Sequence, residues 1–204
     1  MDLELKDKVV VISGAAGIKG SIGETMLGHL VNEGAIPAII DRNDRGFEYV
    51  EEIQKKGIDA TFCKTDVTDP DQIENAVNTI AEKYGRIDVV INNVGVNDGV
   101  GLNASYQDFM WSLKLNMVSY FLVVKHALPH LKSSKGNILS VKSNEDNSND
   151  DLLKWKFSKS VVKKLAEKLI EMGVEIIYGA NIFKINSYEN TINYSINLFT
   201  KSCS

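Results

Sequence analysis

Apolar residues along this chain alternate between two rhythms. Short apolar runs at 9–12, 36–40, 60–63, 87–91, 137–141 and 174–178 predict strands. The first, Val9-Val10-Val11-Ile12, is apolar on both faces, as in a strand buried inside a parallel sheet. Between the runs, apolar positions three and four apart predict helices. Ile22, Met26, Leu27, Leu30 and Val31 share one face of a helix that stops at Gly34. A helix over 43–56 turns Phe47, Val50 and Ile53 inward and closes at Gly57. Ile73, Ala76, Val77 and Ile80 form an i, i+3, i+4, i+7 series on a helix that starts at Pro70 and ends at Gly85, with Thr68 or Asp69 as its cap. A longer stretch, 106–131, places Leu113, Met117, Phe121, Val124 and Leu128 inward. Strand and helix in alternation predict an α/β fold. The expected form is a doubly wound parallel sheet (Rossmann-type), six to seven strands with helices on both faces, in one domain over 1–204.

The turn between the first strand and first helix reads Ser13-Gly14-Ala15-Ala16-Gly17-Ile18-Lys19-Gly20-Ser21-Ile22-Gly23. Strand, glycine-rich turn and helix present backbone N–H groups and a helix N-terminus to a phosphate. Gly14 permits the tight turn, a middle glycine lets the backbone approach a pyrophosphate, and Gly23 lets helix and strand pack closely. GxGxxG does not occur in this loop, and no Gly-Lys-Ser/Thr follows at Walker A spacing. The plain alternative is a flexible turn. Asp41 ends the second run, where an acidic residue can bind ribose hydroxyls and repel a 2′-phosphate, which favours NAD over NADP. Arg42, next door, works against that preference.

Composition narrows the partners. The chain has 204 residues, 44% hydrophobic and 25% charged, with a formal net charge of −4, and so has no general pull toward nucleic acid or an anionic membrane. No apolar run has the length of a membrane span, and the charged N-terminal residues lack the apolar centre of a signal peptide. Cys63 and Cys203 belong to no CxxC pair and are expected as free thiols in a reducing cytoplasm. His29, His126 and His130 show no zinc-ligand pattern, so no metal is expected.

The strand–loop–helix unit, Asp41, Asp66-Val67 after the third strand, and Asn92-Asn93-Val94-Gly95 after the fourth resemble the short-chain dehydrogenase/reductase family, over roughly residues 5–180. The resemblance implies that Asp66 and Val67 contact adenine. It also implies that the asparagine motif, including Asn93 and Gly95, stabilises the central sheet and borders the adenosine. The family loop is TGxxxGxG. Here Ser13-Gly14 matches its start and Ile22-Gly23 its end, with about three extra residues between and Ser21 in place of the middle glycine. That longer loop is similar to those of enoyl reductases, in which a Ser-Ile pair opens the helix. The resemblance gives Asn116 a helix kink and a water of a proton relay, Ser143 the substrate oxygen, and Lys159 the nicotinamide ribose. The family's acid/base tyrosine, four residues before that lysine, is replaced by Trp155. An indole offers a donor-only N–H and no titration near neutral pH, and the chain contains no YxxxK.

Two further stretches depart from the family. Residues 144–151 form a polar, acidic run expected as a solvated loop, and 180–204 is expected as a shortened C-terminal segment without the usual lid and seventh strand. The run from Asn92 to Leu102 is most similar to the L-fucose dehydrogenase branch, which implies a sugar or polyol substrate. The resemblance therefore implies an NAD-dependent oxidoreductase acting on a hydroxyl or carbonyl. The alternative is a non-catalytic module that binds a dinucleotide or a protein. It also implies a homodimer formed through helices 106–131 and 154–172.

Overall fold

The computed structural model describes residues 3–96 and 98–141, and beyond them the backbone of strands at 175–176, 181–188 and 191–197. Ser143, Trp155, Lys159, the 144–151 loop and the 154–172 helix lie outside the described residues.

Strands β1 (Val9–Ser13), β2 (Ile36–Asp41), β3 (Thr61–Lys64), β4 (Val89–Asn92), β5 (Asn137–Ser140) and β6 (Glu175–Ile176) form one sheet in the order β3-β2-β1-β4-β5-β6. Every pairing in it is parallel, with Val9 opposite Ile36 and Val10 opposite Val89. Side chains alternate across a strand, so β1 feeds two cores. Val9 and Val11 pack with Ile73, Val77 and Ile80 of α3 (Pro70–Tyr84) and Val123 and Leu131 of α5 (Ser119–Ser134). Val10 and Ile12 pack with Met26, Leu27 and Leu30 of α1 (Ile22–Asn32) and Ile53 of α2 (Arg45–Lys55). This is the doubly wound parallel sheet that the alternation of runs predicts, with helices on both faces. Ile73, Val77 and Ile80 are fully buried, each contributing about 1.5–3 kcal/mol of apolar burial.

Helix ends follow their local chemistry. The Ser21 hydroxyl accepts the Glu24 N–H at 3.2 Å and caps α1. Of the two candidate caps for α3 it is Asp69, which accepts the Asp71 and Gln72 N–H groups at 3.0 and 3.3 Å. Gly85 ends α3 at φ 69°, in the left-handed region that favours glycine.

Two expected helix faces are corrected. On α2 the buried positions are Gly46 and Ile53, whereas Phe47 is 54% exposed and meets the edge of Phe62. A Cβ on Gly46 would lie 2.3 Å from the Phe62 ring, so that slot takes only glycine. The 106–131 stretch is also not one continuous α-helix. It runs as α4 (Tyr106–Leu113), a π-helical turn (Lys114–Val118) and α5. The buried stripe is Ser112, Leu115, Ser119, Val123, Ala127 and Leu131, while Phe121 is 52% exposed and Leu113, Met117, Val124 and Leu128 are only partly buried. The π turn widens the helix by one residue and rotates everything after it. Within 180–204, β7 (Asn181–Tyr188) and β8 (Thr191–Asn197) form a separate antiparallel pair, irregular between Ile182 and Ile185.

Candidate active site

In a doubly wound sheet, ligands lie beyond the carboxyl ends of the strands where the winding reverses, here between β1 and β4. Those two ends are tied together. Ser13 is buried, and its Oγ accepts the N–H groups of Asn93 at 3.1 Å and Val94 at 3.4 Å. The Asn93 amide donates to the Gly14 carbonyl at 3.0 Å. Gly14 turns the chain at φ 75°, with Val94 Cα 2.9 Å from where its Cβ would be. A Cβ on Gly23 would lie 2.3 Å from Gly14 O and 2.5 Å from Asn93 Nδ2. The first and last glycines therefore serve the turn and the close helix packing expected of them. Above Gly17 and Gly20 the space is open, with no atom within 4 Å of either Cβ position.

Ile22 and Gly23 open α1, so their N–H groups have no intrahelical acceptor and point out of the helix end that carries partial positive charge. A pyrophosphate fits that donor set. Asp41 at the tip of β2 is 6% exposed. Its Oδ2 accepts the Ala16 N–H at 2.9 Å and its Oδ1 the Asn43 N–H at 3.0 Å. The carboxylate thus fastens the glycine loop to the second strand, a role that its sequence position alone does not reveal. Two of its four lone-pair sites remain for a ribose hydroxyl. Asp66 Oδ1 accepts both the N–H (2.9 Å) and the hydroxyl (2.7 Å) of Thr68. The Asp66 N–H donates to Gln72 Oε1 at 2.9 Å.

Asn116 sits in the π turn. Its Oδ1 accepts the Val96 N–H at 3.0 Å and its Nδ2 donates to Ser112 Oγ at 3.3 Å. That places it over Gly95, whose Cβ position is 3.4 Å from Asn116 Oδ1. Tyr120, one turn further on, is a residue that the sequence reading missed. Its hydroxyl donates to Val94 O at 2.6 Å, with Val141 O 3.3 Å away, so it bridges the ends of β4 and β5 just before Ser143. Burial pushes its phenol up to about 12. The i, i+4 spacing from Asn116 was the available signal. Asn92, 1% exposed at the end of β4, has no partner for either side-chain amide atom among the described residues. Beyond β4, the 98–104 loop borders a 760 Å³ hollow with Asp98, Asn103, Asp108 and Trp111 on its wall. Among the described residues there is no group of three or more metal-ligating side chains, and no helix is long and apolar enough to cross a membrane.

A doubly wound parallel sheet with a glycine-rich turn and a helix N-terminus at its switch point is a Rossmann-type fold. The short chain dehydrogenase family model matches residues 8–179, and the chain belongs to that family. It is 32% identical to L-fucose dehydrogenase of Rattus norvegicus over 138 residues, covering 67% of this chain and 49% of that protein. It is 34% identical over 142 residues to meso-2,3-butanediol dehydrogenase of Serratia marcescens, covering 69% and 55% respectively. Among solved structures it is similar to Cj0485 dehydrogenase, at 29% identity and a TM-score of 0.73 over 86% of this chain and 68% of that one. It is also similar to 7α-hydroxysteroid dehydrogenase complexed with NADH and 7-oxo glycochenodeoxycholic acid, at 25% identity and a TM-score of 0.72 over 84% and 69%. The chain spans about half the length of the curated relatives it matches.

Proposed function

We propose that this chain binds a nicotinamide dinucleotide, NAD in preference to NADP, and serves an oxidoreductase that interconverts a hydroxyl and a carbonyl on a sugar-like or polyol substrate. The observation that carries the reading is the start of α1 at Ile22 and Gly23, whose N–H groups have no intrahelical acceptor, set at the sheet's switch point beside Gly14, Ser21 and Asn93. The bound dinucleotide would supply hydride exchange with the substrate carbon. The chain's residues hold and orient. Gly14, Ser21, Ile22 and Gly23 cradle the pyrophosphate. Asp41 accepts a ribose hydroxyl, Asp66 and Val67 meet the adenine, and Asn93 and Gly95 form the floor. Asn116 holds its place in a proton relay, Ser143 takes the substrate oxygen, and Lys159 takes the nicotinamide ribose.

A polyol suits the hollow at the 98–104 loop, whose wall includes the polar residues Asp98, Asn103 and Asp108 together with Trp111. Trp155 cannot exchange a proton, so turnover by the wild type is expected to be slow. Trp111, Val118 and Phe121, exposed on α4, the π turn and α5 respectively, offer an apolar face for a second copy of the chain. The test is a fluorescence titration with NADH and NADPH, followed by a dehydrogenase assay on a sugar and polyol panel with wild type and Trp155→Tyr. Saturable NADH binding, with activity raised about 10²–10⁴-fold by Trp155→Tyr, is the expected result. Failure to bind either dinucleotide overturns the reading.

A further inference from the structure

The inserted turn of the glycine loop is anchored on both sides by side chains from two helices. From α1, the Glu24 carboxylate reaches back so that Oε2 accepts the Gly20 N–H, while Oε1 accepts the Tyr49 hydroxyl at 2.7 Å. From α2, Arg45 Nη1 donates to the Gly17 carbonyl at 3.0 Å, and Asn43 Nδ2, from the turn before that helix, approaches the same oxygen at 3.4 Å. Arg45 and Tyr49 are four residues apart and share one face of α2. Between the anchors, Ile18, Lys19 and Gly20 are exposed.

The charge states suit this arrangement. Burial pushes the Glu24 carboxyl up, but the Tyr49 and Gly20 hydrogen bonds and the Arg45 and Lys19 charges outweigh it, and the group ends below the ordinary carboxylate range. Burial and the Glu24 hydrogen bond push the Tyr49 phenol up to about 12. At neutral pH a charged acceptor therefore faces a neutral donor, the stronger kind of hydrogen bond. A loose carboxylate one turn into α1 would repel a phosphate. Tied to Tyr49 and Gly20, it has each of its two oxygens engaged by a donor.

We propose that Glu24, Arg45 and Tyr49 are positioning residues for the dinucleotide. They clamp residues 17–20 onto α2, so that the Ile22 and Gly23 N–H groups stand ready for the pyrophosphate. This rests on the dinucleotide reading above and deepens it. A loop already ordered binds more tightly, because ligand binding no longer has to supply the ordering.

The clamp can be read without activity. Trypsin cleaves after lysine, and Lys19 lies between the two anchors, so native-state cleavage at Lys19, followed by mass spectrometry, reports how often the turn opens. Tyr49→Phe removes the hydroxyl and keeps the ring. The expected result is about tenfold faster cleavage at Lys19 and about tenfold weaker NADH binding. The melting temperature is expected to fall by about 3–6 °C, because a closed turn that is tenfold less favoured over the open one is equally less favoured over the unfolded chain. Tyr49→Phe combined with Glu24→Gln should have less effect than the two single changes added together, since both act on the Glu24–Tyr49 bond, while Glu24→Gln also disturbs the Gly20 contact. If Tyr49→Phe fails to fold, Arg45→Gln, which loses the Gly17 contact, is read by the same assays. Unchanged cleavage overturns the proposal, as does faster cleavage with unchanged NADH affinity. If the wild type binds neither NADH nor NADPH, the dinucleotide reading falls and takes the positioning role with it, and the cleavage rates then decide whether the clamp itself exists.

Discussion

Replacing Asp41 with asparagine exchanges one carboxylate oxygen for an NH₂ of nearly the same size, in a residue only 6% exposed. In the wild type, two oxygens serve two backbone donors, Ala16 N–H at 2.9 Å and Asn43 N–H at 3.0 Å. Asparagine has one acceptor oxygen, so one donor must face an NH₂. Ala16 is fully buried and Asn43 exposed, and the amide is therefore expected to keep Ala16 and release Asn43 to water. The cost is then the loss of one charge-assisted hydrogen bond and the weakening of another, about 1.5–3 kcal/mol in total. Asp41→Ala strands the buried Ala16 N–H as well and is expected to cost about 1–3 kcal/mol more. Urea unfolding at pH 7 measures both, and NADH titration should show both variants weakened. If Asp41→Asn unfolds at the wild-type midpoint, the carboxylate does not anchor the loop, and its place in the structure needs another explanation.

Three further outcomes follow from the same geometry. Gly23→Ala puts a methyl group 2.3 Å from Gly14 O, and the forced shift is expected to cost about 1–3 kcal/mol in urea unfolding and to abolish NADH binding; normal affinity would show that the helix start can move freely. The Tyr120 phenol, raised by burial to about 12, is more firmly protonated in the folded than in the unfolded protein, so its contribution is complete below pH 10 and is lost as pH rises from 10 toward 12. That loss is about 2 kcal/mol by pH 12, and Tyr120→Phe should flatten the alkaline limb of the stability profile accordingly, an identical limb being the contrary result. Phe121→Asp charges the exposed face of α5 and is expected to turn a dimer into a monomer in sedimentation velocity at unchanged melting temperature, which a monomeric wild type would contradict.

Most of the sheet was legible because a parallel strand is apolar on both faces, and Val9-Val10-Val11-Ile12 admits few other placements. α1 and α3 were legible for a related reason, since large side chains mark their buried faces. The face of the 106–134 segment was not. Its inward positions include Ser112, Ser119 and Ala127, which sequence hydrophobicity passes over, and the π turn at Lys114–Val118 shifts the phase that Leu113 and Phe121 suggest. Phe47 misled for the complementary reason, because the Phe62 ring fills the space beside α2 and leaves room only for Gly46. In the candidate site, Gly14 and Gly23 could be picked out by the glycine pattern, and Asn93 and Asn116 only through the family resemblance. The anchoring of the loop by Glu24, Arg45 and Tyr49 could not, because it joins residues more than twenty positions apart through side-chain reach.

The most direct test follows the backbone amides of Ile22 and Gly23 in ¹H–¹⁵N spectra of the full chain during titration with NADH. If the loop is a pyrophosphate cradle, these two resonances move and saturate together with those of Ala16 and Asn93. Millimolar NADH that leaves all four in place would contradict the account.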